Sequence, residues 1–102
     1  MNNIVLIGFM GCGKTTFGKW IANNYNMEFI DTDDYIESKE NRKISDIFAS
    51  DGEEFFRSLE TSTIDKLSKS VSNAVISVGG GLPVRECNRA ILKQLGKVIY
   101  LE

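Results

Sequence analysis

The run Gly8-Phe9-Met10-Gly11-Cys12-Gly13-Lys14-Thr15 constrains this chain more than any other stretch. It spells glycine, four residues, then Gly-Lys-Thr, with a further glycine at 11 and a second threonine, Thr16, directly after. Main-chain N–H groups can wrap closely around a polyphosphate only where glycines permit the approach and the backbone angles it needs. Lys14 would reach the β- and γ-phosphates, Thr15 would offer its hydroxyl to Mg²⁺, and the next helix would point its N-terminus at the anion. The flanks fit. Ile4-Val5-Leu6-Ile7 reads as a buried β-strand, and Phe17, Trp20, Ile21 and Tyr25 recur at helical spacing after the loop. The reading is a nucleoside-triphosphate cradle made by Gly11, Cys12, Gly13, Lys14, Thr15 and Thr16.

With 102 residues the sequence makes one domain, spanning 1–102, and 42% hydrophobic content is enough for a packed core. A net charge of −2, with cations spread among acids, leaves no basic footprint for a nucleic-acid partner. No signal peptide, lipidation motif or membrane-length apolar run is present, so the expected setting is the cytoplasm, away from a membrane. Cys12 and Cys87 lack metal-ligand spacing and there are no histidines. Both thiols suit a reducing compartment and a packing role.

Along the chain, strands and helices alternate. Asn23, Asn24 and Asn26 close the first helix, and 27–30 reads as a second strand that delivers Asp31-Thr32-Asp33-Asp34 at its carboxyl end. A short helix passes through Tyr35 and Ile36. Ser45 is a candidate cap for another helix, which Ser50-Asp51-Gly52 stops. From Glu53 a longer helix carries Phe56, Leu59, Thr63 and Leu67 on one face. A third strand, 74–78, runs into Gly79-Gly80-Gly81; Pro83 opens a helix with Val84, Cys87, Ile91 and Leu95 as its buried stripe; 98–101 is a fourth strand. This interval implies an α/β fold with a parallel sheet and right-handed crossovers.

Three further groups carry candidate chemistry. If strand geometry persists, Asp31 and Asp33 share a face, one available to a Mg²⁺ shell through water and the other to an acceptor's hydroxyls. Asp34 would point elsewhere as a helix-start acid. The plainer alternative is that all three cap the following helix. Arg57, with Glu53 four residues before and Glu60 three after, is either a surface ion-pair ladder or a fork that Glu60 orients toward a substrate carboxylate. Spacing does not choose between them. Gly79, Gly80 and Gly81 together point to a ligand or another backbone approaching closely.

These residues resemble shikimate kinase, a family within the nucleoside-monophosphate-kinase-like group of phosphate-loop proteins. The resemblance rests on 8–19, on Asp31-Thr32-Asp33, on 44–48, and on Gly52-Glu53 with Phe56-Arg57 and Glu60. The triple glycine and the closing Val-Ile-Tyr-Leu-Glu complete it. It implies a three-layer parallel sheet in the order 2-3-1-4-5, here without the last strand. It implies ATP-dependent phosphorylation of the 3-hydroxyl of shikimate, in chorismate and aromatic amino-acid biosynthesis. In that reading Lys14 stabilises the moving phosphoryl group and Asp33 holds the shikimate hydroxyls and is the candidate base. Thr15, with Asp31 behind it through water, holds Mg²⁺. Arg57 and Gly79, Gly80 and Gly81 bind shikimate, Phe48 and Phe56 line its pocket, and Glu60 orients Arg57.

The family's lid with its arginine, its last strand, its adenine-contacting loop and a further carboxylate-gripping arginine have no counterpart in these residues. The expectation is therefore that the 102 residues alone bind phosphate but transfer it poorly. Family members are expected to be monomers, whereas the open fourth strand favours association of this chain. Two alternatives remain: a kinase of another small acceptor such as gluconate, and a nucleotide-binding fragment without turnover.

Overall fold

The computed structural model describes residues 3–8, 13–79 and 82–101. Four parallel strands form the sheet: β1 (Ile4–Gly8), β2 (Glu28–Asp31), β3 (Ala74–Ser77) and β4 (Lys97–Leu101), in the spatial order β2-β3-β1-β4. That is the expected order as far as the fourth strand. β1 pairs with β3 from Ile4↔Val75 and with β4 from Ile4↔Lys97, while β2 adds to β3 with Asp31 opposite Ser77. Both central strands are apolar runs because helices cover both faces. Helix α1 (Lys14–Asn24) lies over Leu6 and Val75, and α4 (Glu53–Ser70) and α5 (Glu86–Leu95) lie over Val5, Ala74 and Ile76. Helices α2 (Thr32–Glu40) and α3 (Ile44–Asp51) join α4 in a smaller core of Ile36, Ile47 and Phe56.

Several details depart from the sequence reading. On α1 the buried residues are Gly18, Ile21 and Ala22, and Phe17, Trp20 and Tyr25 are exposed. The helix approaches the sheet through its small side: a Cβ at Gly18 would lie 2.6 Å from the Phe29 ring and 3.0 Å from Leu6. The large aromatics are thereby turned outward, and Phe17 stacks on Trp20 at 6.4 Å.

Ser45 is not a cap. Helix α3 begins one residue earlier, and its first amide, Ile44 N, donates to Glu37 Oε2 at 2.9 Å, so a carboxylate from α2 does the capping. Pro83 does not open α5 either. It lies in a single 3₁₀ turn, Leu82–Val84, and the helix starts at Glu86. Of the expected stripe Leu95 is buried and Ile91 is half-buried against the main core, but Asn88 and Leu92 are the other buried positions and Cys87 is exposed rather than packed. The Val84 side chain lies outside the described residues. On α4 the expected Phe56, Thr63 and Leu67 are buried, joined by Glu60 and Ile64.

Among the described residues β4 pairs only with β1, and Val98 and Tyr100 on it are exposed. A groove of about 760 Å³ runs between this edge and α5, lined by Ile7, Pro83, Ala90, Leu92, Val98 and Tyr100. It shares no side chain with the site described next.

Candidate active site

Parallel α/β sheets gather ligands at the carboxyl ends of their strands, and there β1 hands over to α1. Gly13 takes φ +82°, with open space where a Cβ would stand, and Lys14 is the first helical residue. Among the described residues no side chain caps α1, whose N-cap is Gly13, and its first turn carries no acid. Its first N–H groups are therefore left for an anion, with Thr15 and Thr16 exposed beside them. Lys14 Nζ donates to the Val78 carbonyl at 2.5 Å and, more distantly, to that of Gly8 at 3.4 Å. The ammonium group thus sits across the ends of β1 and β3. Gly11 and Cys12 lie outside the described residues.

The acidic run is divided differently from the alternating arrangement expected on a strand. β2 ends at Asp31 and α2 begins at Thr32, so Asp33 stands in the first turn of a helix. Asp31 is the cap: its Oδ1 accepts from the amides of Asp33 (2.9 Å) and Asp34 (3.2 Å). Asp34 is an exposed helix-start acid, as expected. Asp33 is half-buried and its carboxyl is pushed above the usual aspartate value of 3.8. Burial is the first cause and the Asp31 carboxylate the second, with Lys14 pulling the other way.

Thr32, between the two acids, was missed by the sequence reading. It is fully buried, and its hydroxyl oxygen accepts from Gly79 N at 3.2 Å. Gly79 lies close against the site: a Cβ on it would stand 2.8 Å from Asp33 Oδ1, and that carboxylate would have to turn aside to admit one. Gly80 and Gly81 lie outside the described residues.

Arg57 resolves in favour of a held fork. Its Nη1 donates to Glu60 Oε1 at 2.7 Å, with Glu60 only 1% exposed, while the second contact, Nη2 to Glu53 Oε2, is 3.4 Å and open to solvent. Glu60's carboxyl is pushed up by burial against the opposing pull of Arg57, and the Asp33 carboxylate adds to the upward push. The bond to Glu60 in turn raises Arg57 above the usual arginine value, so the guanidinium stays charged. Phe56 packs under it, 5.6 Å from guanidinium to ring centroid, and Phe48 stands 4.9 Å from Phe56. A surface ladder would not bury its acid.

Lys14, Val78, Gly79, Asp33 and the Glu60–Arg57 pair therefore gather at one end of the sheet: Lys14 bonds the Val78 carbonyl, Gly79 abuts Asp33, and the Asp33 charge acts on Glu60. Among the described residues no three His, Cys, Asp or Glu side chains converge to cage a metal. A hard dication here would be held chiefly by phosphate oxygens and water, with Thr15 and Asp31 as the protein's part, which is how Mg²⁺ is commonly bound.

The family model for shikimate kinase matches residues 10–102. The chain belongs to the shikimate kinase family. It is 51% identical over its whole length to a shikimate kinase of Alkaliphilus oremlandii, of which it covers 60%. A solved shikimate kinase from Acinetobacter baumannii, in complex with shikimate, superposes with a TM-score of 0.93 at 42% identity, over 99% of this chain and 56% of that one. The chain thus spans about 60% of the length of the curated shikimate kinases it matches. A gluconokinase from Sinorhizobium meliloti aligns at a TM-score of 0.55 and 18% identity, a likeness of fold alone. No helix among the described residues of this shikimate kinase family member is long and apolar enough to cross a membrane.

Proposed function

We propose that this chain carries the phosphate-binding and acceptor-binding parts of an enzyme that transfers the γ-phosphoryl group of ATP to the 3-hydroxyl of shikimate. The observation that carries the reading is the gathering of Lys14, Gly79, Asp33 and Arg57 at the carboxyl ends of the strands. Thr15, with Asp31 behind it through water, would hold Mg²⁺, which would supply charge neutralisation at the phosphates. The uncapped first turn of α1 and Lys14 hold the polyphosphate, and Lys14 leaves the Val78 carbonyl to do so. Asp33 accepts hydrogen bonds from the acceptor's hydroxyls and takes the proton released as the new P–O bond forms. A carboxyl already raised above its usual value is suited to taking it. A loose transition state asks little of that base, so positioning contributes more than proton removal.

Arg57, preset by Glu60, grips the acceptor's carboxylate, and Phe48 and Phe56 wall the ring. The fork together with the ring-sized wall of Phe48 and Phe56 favours a small carboxylated ring over gluconate, an open-chain carboxylate, and over a nucleotide. The test assays the gene product for ADP release with shikimate, gluconate and AMP in parallel, with Arg57→Lys beside it. Turnover with shikimate alone is expected, with an acceptor KM about tenfold or more higher in the variant because the bidentate grip is lost. Equal turnover with gluconate, or ATP binding without ADP from any acceptor, would overturn it.

A further inference from the structure

Asn88 is fully buried on α5, on the stripe where the neighbouring positions are Leu92 and Leu95. A primary amide in such a place is costly unless both of its ends are used, and here both are. Its Oδ1 accepts from Thr61 Oγ1 at 2.6 Å and its Nδ2 donates to the Leu82 carbonyl at 2.8 Å. Only one orientation of the amide satisfies both neighbours, since the reverse would set oxygen against the Leu82 carbonyl.

The two partners belong to different halves of the site. The Leu82 amide donates to Gly79 O at 3.1 Å. Thr61 lies one helical turn beyond Arg57 on α4, its hydroxyl 3.2 Å from the Arg57 carbonyl. At its other flank Gly79 is tied to buried Thr32. A chain of hydrogen bonds thus runs Gly79–Leu82–Asn88–Thr61, and the Thr61 hydroxyl, its one proton given to Asn88 Oδ1 at 2.6 Å, sits 3.2 Å from the Arg57 carbonyl; Asn88 is the fully buried side-chain member. A residue meant only to fill space at this position would be apolar, like its neighbours on the stripe.

We infer that Asn88 is a positioning residue: through Leu82 and Thr61 it sets the spacing between the glycine segment and the Arg57 fork, and so tunes affinity for the carboxylated acceptor. The inference rests on the acceptor reading above. Because Asn88 is fully buried and its bonds run to Leu82 and Thr61, its loss should act on acceptor binding and leave the nucleotide side alone.

Thr61→Val, which keeps the shape and removes the hydroxyl, is the cleaner test; Thr61→Ser restores the hydroxyl, and Asn88→Ala removes the hub. In the gene product Thr61→Val is expected to raise the KM for shikimate about five- to tenfold, the worth of one internal hydrogen bond, with KM for ATP and kcat within about twofold. Hydrogen exchange at the Leu82 amide should quicken by a similar factor while amides of β1 and α1 do not change. Thr61→Ser should return both readings to the parent's. An unchanged acceptor KM in Thr61→Val, or equal shifts in the two KM values, overturns the assignment. A parent that does not phosphorylate shikimate overturns the acceptor reading itself, and the assignment with it.

Discussion

The two ends of the sheet are built in opposite ways. At the amino ends of the strands buried Asn3 donates to the carbonyls of Val71 (3.1 Å) and Leu95 (2.9 Å) and accepts from Ala74 N at 3.0 Å, while its own carbonyl accepts from Lys97 N. These polar groups are all satisfied within the chain, so four segments are stitched together. At the carboxyl ends, α1 lacks a cap and Asp33 and Glu60 hold raised carboxyls. There too the Ser77 hydroxyl is buried with no partner among the described residues. One end spends its polar groups on the fold; the other keeps them for a ligand. Stability and activity should therefore respond separately to change.

The largest expected effect is at the open end. Lys14→Ala removes the charge proposed to reach the phosphates, and turnover should fall by about three powers of ten, the scale seen when one preorganised donor is lost. The melting temperature should hardly move, because Lys14 Nζ gives the fold only a pair of part-buried bonds, to the Val78 and Gly8 carbonyls. A coupled ADP assay beside thermal unfolding checks both halves. A large loss of stability would break the contrast between the ends.

At the stitched end the pattern should reverse. Asn3→Ala leaves the Ala74 amide and two carbonyls without partners, and unfolding in urea should show a loss of about 2–3 kcal/mol. KM for both substrates should stay as in the parent. A shift in acceptor KM would mean that the two ends are mechanically joined.

The legible and illegible parts of the molecule follow the same division. The phosphate loop and the four strands could be read from Gly8–Thr15 and the apolar runs, because period and glycine spacing are local signals, whereas the strand order followed only from the resemblance to the family. Arg57 and Glu60 were also visible, although only burial of Glu60 separates a held fork from a surface pair. Thr32 and Asn88 were not, because a buried polar residue breaks the hydrophobic pattern and shows its purpose only through partners far along the chain, Gly79 and Thr61. The aromatic spacing on α1 misled for a related reason. Gly18 marks the face that meets the sheet, and small residues carry no weight in a search for apolar bulk. A small residue in register with Ile21 and Ala22 was the available sign.

The smallest expected effect sharpens the contrast through pH. Asp33 has a folded value above 3.8, set by burial and by the Asp31, Asp34 and Glu37 carboxylates, with Lys14 only partly offsetting them. Between the ordinary and the raised value the folded chain keeps a proton that the unfolded chain has released, so Asp33 favours folding on the acid side. That contribution disappears as pH rises through the raised value. Asp33→Asn should therefore stabilise the protein by a few degrees at pH 7, even as it removes activity, and the gain should shrink as pH falls toward 4. Asn3 carries no titratable group, so the cost of Asn3→Ala should be the same at both pH values. Thermal unfolding of the parent and both variants at pH 4 and 7 distinguishes the cases. A gain for Asp33→Asn that is equal at the two pH values, or a loss at pH 7, would show that the charge at the open end is already compensated within the chain.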